Sequence, residues 1–199
     1  MGDTQYMTWA LRRGDPAILE VFDGPTRRTV KQLQAELDAL PYQRLLVTLN
    51  SARGTYEEGL AFHKLLSSCR GWVRTYIDFA AGGAAIIAMS CIWADRFIAK
   101  HGTWFAQAPI VERVEDRTAL VERLRSLTYE VAGVFSDNMA GNLEWWRSAM
   151  ETGMFYDAVH AVDGGVVRAV STLDEQKRPW VKAPTDRQPL AKAITEVLT

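Results

Sequence analysis

Two glycine-bearing segments concentrate the groups in this chain that could do chemistry. Asn50-Ser51-Ala52-Arg53-Gly54 follows an apolar run and precedes a helical pattern, and Asp78-Phe79-Ala80-Ala81-Gly82-Gly83 repeats that arrangement. Strand-to-helix corners of this kind place backbone N–H groups at one edge of a parallel sheet. There they can hold an anion or stabilise developing negative charge. Side chains able to start a reaction are sparse around them. Ser51 lies in the first corner, and Ser90 lies on the order of 10 Å along the helix that begins near Gly82. The three histidines, His63, His101 and His160, are scattered; His101 falls nearest, in a stretch read as a loop between two strands. Cys69 and Cys91 are isolated, and neither C-x-x-C nor H-x-x-H occurs, so no metal site or cofactor is expected.

The elements that must position these corners follow from periodicity. Ala17 to Phe22 alternates and reads as a strand, ended by Asp23-Gly24-Pro25. Val30, Leu33, Leu37 and Leu40 follow at helical spacing, with Thr26 or Thr29 as N-cap and Pro41 as the stop. Leu45 to Leu49 is almost uninterruptedly apolar, as in a strand covered on both faces. Thr55 to Ser68 reads as a helix with Leu60, Ala61, Leu65 and Leu66 inward, and Trp72 to Ile77 as the next strand. From Gly82 to Cys91 the residues are small or apolar, so this helix should be buried on all sides. Asp95 to Lys100 reads as a strand, followed by a short stretch ending at Pro109. The alternation of strand and helix sets the class as α/β.

Beyond Glu112 the pattern changes. Leu120, Leu124, Leu127, Val131 and Val134 mark a long amphipathic helix, interrupted near Gly133 or ended by Gly141. Asn142 caps a further helix with Leu143, Trp146 and Met150. Tyr156 to Val162 reads as a small helix and Val166 to Val170 as a last strand. Residues 1–170 therefore read as one domain, and 171–199 as a polar, proline-containing extension with a terminal helix over Leu190 to Leu198.

Composition bounds the partners. In 199 residues with a formal net charge of −1, no excess charge points to nucleic acid or an anionic membrane surface. The longest apolar run, Phe79 to Trp93, is too short for a membrane span, and residues 1–6 are polar. A reduced, cytoplasmic protein is the expectation.

These residues carry a family resemblance. Leu49-Asn50-Ser51-Ala52-Arg53-Gly54 with Gly59-Leu60-Ala61 resembles the Asn-Ser-Pro-Gly-Gly loop and helix of the Clp protease proteolytic subunit. Asp78-Phe79-Ala80-Ala81-Gly82-Gly83-Ala84 resembles its Gly-x-Ala-Ala-Ser-Met segment, and Phe105-Ala106-Gln107-Ala108-Pro109 its Met-Ile-His-Gln-Pro segment. His160-Ala161-Val162 and Gly165-Val166-Val167 resemble its final run, so the match in order and spacing covers Ala17 to Val170. The resemblance implies the spiral of β-β-α units of the Clp protease/crotonase superfamily, with a buried central helix and a projecting helical arm that pairs subunits.

The departures are as informative. By motif, the family's catalytic serine falls on Gly82, its histidine on Gln107 and its aspartate on Gly153. None of these can act as nucleophile, base or orienting acid. The family's oxyanion-hole N–H groups fall on Gly54 and Gly83, both glycine here, which also suits tight corners. Arg53 places a long cation where the family has glycine, and Trp104 and Phe105 are bulky enough to fill a vacated pocket. The reading is a catalytically inactive Clp protease-like subunit with a structural or regulatory role. It would form a homo-oligomer, or a hetero-oligomer with an active paralogue, and its corner would offer room for a peptide or acyl ligand. The alternatives are a crotonase-type enzyme holding an acyl-CoA thioester, and a serine peptidase with non-standard residues such as Ser51, Ser90 or His101.

Overall fold

Apolar segments separated by amphipathic ones line up as parallel strands with helical crossovers. The computed structural model describes residues 5–40, 44–108 and 117–178. In chain order the elements are β1 (Tyr6–Arg12), β2 (Ala17–Gly24), α1 (Val30–Asp38), β3 (Arg44–Ser51), α2 (Tyr56–Ser67), β4 (Trp72–Ala81) and α3 (Gly83–Ile87). They continue as β5 (Arg96–Ala106), α4 (Arg117–Asn138), α5 (Leu143–Thr152), β6 (Met154–Asp157), α6 (Ala158–Asp163), β7 (Ala169–Val170) and α7 (Leu173–Lys177). One sheet runs β1-β2-β3-β4-β5-β6, with β7 also paired to β5. The pairs β2–β3, β3–β4 and β4–β5 are parallel, and β1 and β6 close the two ends antiparallel.

The helical face of the sheet carries the main core. Leu19, Val47, Leu49, Ile77 and Ile98 project from it with no exposed surface beneath α1, α2 and α3. Burying each such aliphatic side chain contributes about 1.5–3 kcal/mol. Every residue of α3 is buried, as its composition requires. The approach of α2 to α3 depends on glycine: a Cβ on Gly59 would lie 2.5 Å from the Gly83 carbonyl oxygen. A smaller cluster of Leu46, Tyr76 and Ala99 sits on the other face, where Phe97 and Leu173 pack against it.

Several elements differ from the sequence expectation. β1 carried no strand expectation; it is held by registered pairing with β2 along its whole length. β4 runs to Ala81 and β5 to Ala106, so the second corner is the strand's end, and His101 lies within β5 rather than in a loop. α3 stops at Ile87 instead of Cys91. In α2, Phe62 is buried while Ala61 is exposed. α4 passes through Gly133 without a break. The segment read as a helix from Tyr156 is β6 followed by α6, because Asp157 accepts the His160 N–H at 2.9 Å and starts the helix there. The final strand shrinks to Ala169–Val170, and part of the expected linker is α7. The helix expected over Leu190 to Leu198 lies outside the described residues.

α4 divides its labour along its length. Val131, Ala132 and Phe135 are buried against the body, whereas 118–130 contain no buried residue. The first half is nonetheless tied to the body, since Arg123 pairs with Glu57 of α2 at 2.8 Å, so the projecting arm implied by the resemblance is a more exposed stretch of helix that still touches the domain.

Candidate functional site

Strand register brings the three motif-matched positions to one edge. Ala81 on β4 pairs with Phe105 on β5, which pairs with Phe155 on β6. Gly82 follows Ala81, Gln107 lies two residues beyond Phe105, and Gly153 immediately precedes the Met154 that pairs with Ala106. Three adjacent strands, β4, β5 and β6, therefore end or begin beside one another there. The first corner, β3 into α2, joins them through Gly54.

The local backbone explains the glycines. Gly82 has φ 55° and ψ −127°, and a Cβ there would lie 3.2 Å from the Gly54 carbonyl oxygen. Gly153 ends α5 with φ 79°, and its Cβ would lie 3.2 Å and 3.3 Å from the Phe105 ring. Side chains at such backbone conformations cost about 1–3 kcal/mol each. Gln107 is held by its backbone: its carbonyl accepts the Tyr56 hydroxyl, and the next N–H, that of Ala108, donates to Met150 O at 2.7 Å. Burial pushes the Tyr56 phenol up to about 12, so it stays a donor throughout the physiological range.

Of the two expected oxyanion N–H groups, those of Gly54 and Gly83, the second is turned onto the carbonyl of the first residue. The Gly83 N–H donates to Gly54 O at 3.2 Å. Gly83 therefore offers its N–H to the chain's own carbonyl rather than to open space. Trp104 is fully buried beside the corner, and its indole N–H donates to Ala85 O in α3 at 3.1 Å. Phe135 and Trp146 meet it edge-on, with centroids at 5.2 Å and 6.3 Å. Phe105 lies against Gly153 instead. Arg53 is exposed, its backbone N–H bound to Ser51 Oγ at 3.1 Å.

The remaining nucleophile and base candidates do not converge on the corner. Ser51 is buried; its hydroxyl donates to Asp23 at 2.5 Å, and the same carboxylate accepts the Ala52 N–H at 3.1 Å, which fixes the loop. Ser90 meets His63 at 3.5 Å between Oγ and Nδ1, a pairing that no motif along the chain announces. That pair lies at the far end of α3, Ser90 is 4% exposed, and among the described residues no carboxylate bonds to His63. Burial first, and the Arg96 charge second, hold His63 below its ordinary pKa. His160 is exposed and bonded to Asp157 at 2.8 Å; its N–H groups hold that carboxylate below the usual range. His101 is exposed on β5.

A buried cation organises the far end of α3. Arg96, 1% exposed, donates to Cys91 O at 2.8 Å and to Asn138 O and Oδ1 at 3.1 Å and 2.7 Å. It thereby closes the C-terminus of α4 and the turn after α3, where a positive charge is favoured. Burial pushes its guanidinium down and the adjacent Cys91 thiol up. No sequence motif marks such a residue, since its partners are mainly backbone carbonyls from distant segments.

Two cavities are present, one far from the corner and one beside its first loop. One of about 620 Å³ opens at the opposite sheet edge among Leu37, Leu40, Leu45, Leu65 and Cys69. Another of about 440 Å³ lies between the starts of α1 and α2, over Met7 and Phe62. Neither is lined by Gly82, Gln107 or Gly153. Among the described residues no group of three metal-ligating side chains occurs, and no helix is long and apolar enough to cross a membrane.

No protein-family model matches the sequence, and no curated protein matches it. Solved structures do match the fold. The chain is similar to a ClpP1 mutant from Listeria monocytogenes, with a TM-score of 0.65 at 12% identity, over 75% of this chain and 87% of that one. At that identity the likeness concerns architecture. The protein has a Clp protease-like α/β fold.

Proposed function

We propose that this protein is a catalytically inactive, Clp protease-like subunit with a structural or regulatory role in an oligomeric assembly, as a homo-oligomer or beside an active paralogue. The observation that carries this reading is the joint state of the three matched positions. Gly82 and Gly153 have backbone conformations and neighbours that disfavour any side chain, and Gln107 can neither accept nor deliver a proton near neutral pH. Loss of a single group would be reversible by one substitution; here all three positions differ at once, and two of them also have a backbone that would strain any side chain. The exposed side chains of α4 over residues 118–130 support assembly through that helix.

The crotonase alternative needs free backbone N–H groups for a thioester oxygen, and the Gly83 N–H is occupied by Gly54 O. The alternative peptidase needs a hydroxyl and a base together in a cleft. Ser90 and His63 are together but largely buried, and neither of the two cavities is lined by them.

Two measurements test the proposal. Incubation with a fluorophosphonate and with a β-lactone should leave the protein unlabelled by intact-mass spectrometry; a stoichiometric adduct on any residue overturns the inactive reading. Sedimentation velocity should give a species larger than one chain, and a strict monomer at high concentration removes the subunit role.

A further inference from the structure

One peptide unit, Gly54–Thr55, is held at both ends. Its carbonyl accepts the Gly83 N–H at 3.2 Å. Its N–H, that of Thr55, donates to Glu58 Oε2 at 3.0 Å, while the Thr55 hydroxyl accepts the Glu58 N–H at 3.2 Å. This reciprocal pair is the capping box that starts α2. Glu58 is in turn paired through Oε1 with Arg27, from the segment entering α1. The two ends of a planar peptide cannot turn independently. Whatever fixes the direction of the Thr55 N–H therefore also fixes the Gly54 carbonyl at the second corner.

We propose that Glu58, steadied by Arg27, is a positioning residue that locks the Gly54 carbonyl onto Gly83 and so keeps the corner plugged from within. This deepens the inactive reading and rests on it: the missing side chains remove the reaction, and the locked peptide removes the anion-binding N–H. Packing acts in the same direction. A Cβ on Gly83 would lie 2.7 Å from Thr55 O and 3.3 Å from the Gly54 carbonyl carbon, so the peptide lies directly on the start of α3. Gly54 itself has φ 94°, and the Met7 side chain covers the place its Cβ would take. At the other end of the loop, Asp23 binds Ser51 and Ala52. The loop is thus pinned by one carboxylate at each end, and only the Glu58 end sets the peptide that faces Gly83.

Amide hydrogen exchange of the full chain, read residue by residue by NMR, tests this. In the unaltered protein the Gly83 and Thr55 amides should both be protected. Glu58→Ala should reduce protection of both by roughly tenfold, the equivalent of one hydrogen bond, while the Ala88 amide within α3's own backbone network is unchanged. Glu58→Gln, whose amide oxygen can accept the same N–H, should restore both. Arg27→Ala should give a smaller loss at the same two amides, and serves if Glu58→Ala does not fold. Free exchange of Gly83 in the unaltered protein overturns the plug. Full Gly83 protection in Glu58→Ala overturns the lock, as does a Glu58→Gln variant that behaves like Glu58→Ala. A labelled serine in the probe experiment would overturn the inactive reading without altering these exchange rates, so the two failures are separable.

Discussion

Replacing Gly153 by alanine is the most direct probe of whether the corner has closed around its losses. The substitution adds one carbon and no chemistry, so any effect is conformational. At φ 79° and ψ 124° an L-residue is strained by about 1–3 kcal/mol. The new Cβ also meets the Phe105 ring at 3.2 Å and 3.3 Å, so that ring must give by a few tenths of an ångström. Together these should destabilise the protein by about 2–4 kcal/mol, a fall in Tm of roughly 5–15 °C for a domain of this size. Circular dichroism melts give the number. Gly133→Ala is the matched control: it lies inside α4 with no heavy atom within 4 Å of its Cβ. It should stabilise by about 0.5–1 kcal/mol, because glycine is costly in a helix. Adding Phe105→Ala to Gly153→Ala should recover the contact part but not the backbone part, giving a non-additive pair. A Gly153→Ala melt within ~1 °C of the parent would refute the reasoning, since a position that accepts a Cβ freely could have accepted a carboxylate.

Further outcomes follow from the buried polar groups. His63 is held below the unfolded value of about 6.5 by burial and by Arg96, so the unfolded chain binds the extra proton first. Its contribution to stability is therefore complete above about pH 6.5 and is lost as pH falls below that value. His63→Asn should flatten the urea midpoint between about pH 7 and 5, and parallel curves for the two proteins would sink the assignment. Arg96→Met removes the donors to Cys91 O and Asn138 and leaves buried carbonyls unmatched, at a cost of roughly 3–5 kcal/mol; equilibrium unfolding within ~1 kcal/mol of the parent would contradict its organising role. Asp23→Ala should cost about 1.5–3 kcal/mol by freeing the Ser51 hydroxyl and the Ala52 N–H, and an unchanged denaturant midpoint would show that the first loop does not depend on it.

Elements whose pattern is local are legible in the residues themselves. The 3.6-residue spacing of Val30, Leu33 and Leu37, the apolar run at Leu45–Leu49 and the small-residue run after Gly82 each reflect a burial demand made by neighbours in the chain. α1, β3 and α3 duly appear there. The Thr29 cap is legible for the same reason, and Thr55 with Glu58 carries an equally local capping signature. Which distant groups answer one another is settled only in three dimensions. β1 has no signal apart from its pairing with β2, and β6 is a strand because β5 lies beside it, against a helical reading of the same residues. At Gly153 a φ of 79° and the Phe105 ring, from a strand far earlier in the chain and 3.2 Å from where a Cβ would lie, together favour glycine. The Gly83 N–H is occupied because a peptide from another loop turns its carbonyl toward it. Backbone hydrogen bonds and contacts of this kind depend on direction and distance in space, and side-chain identity along the chain carries neither.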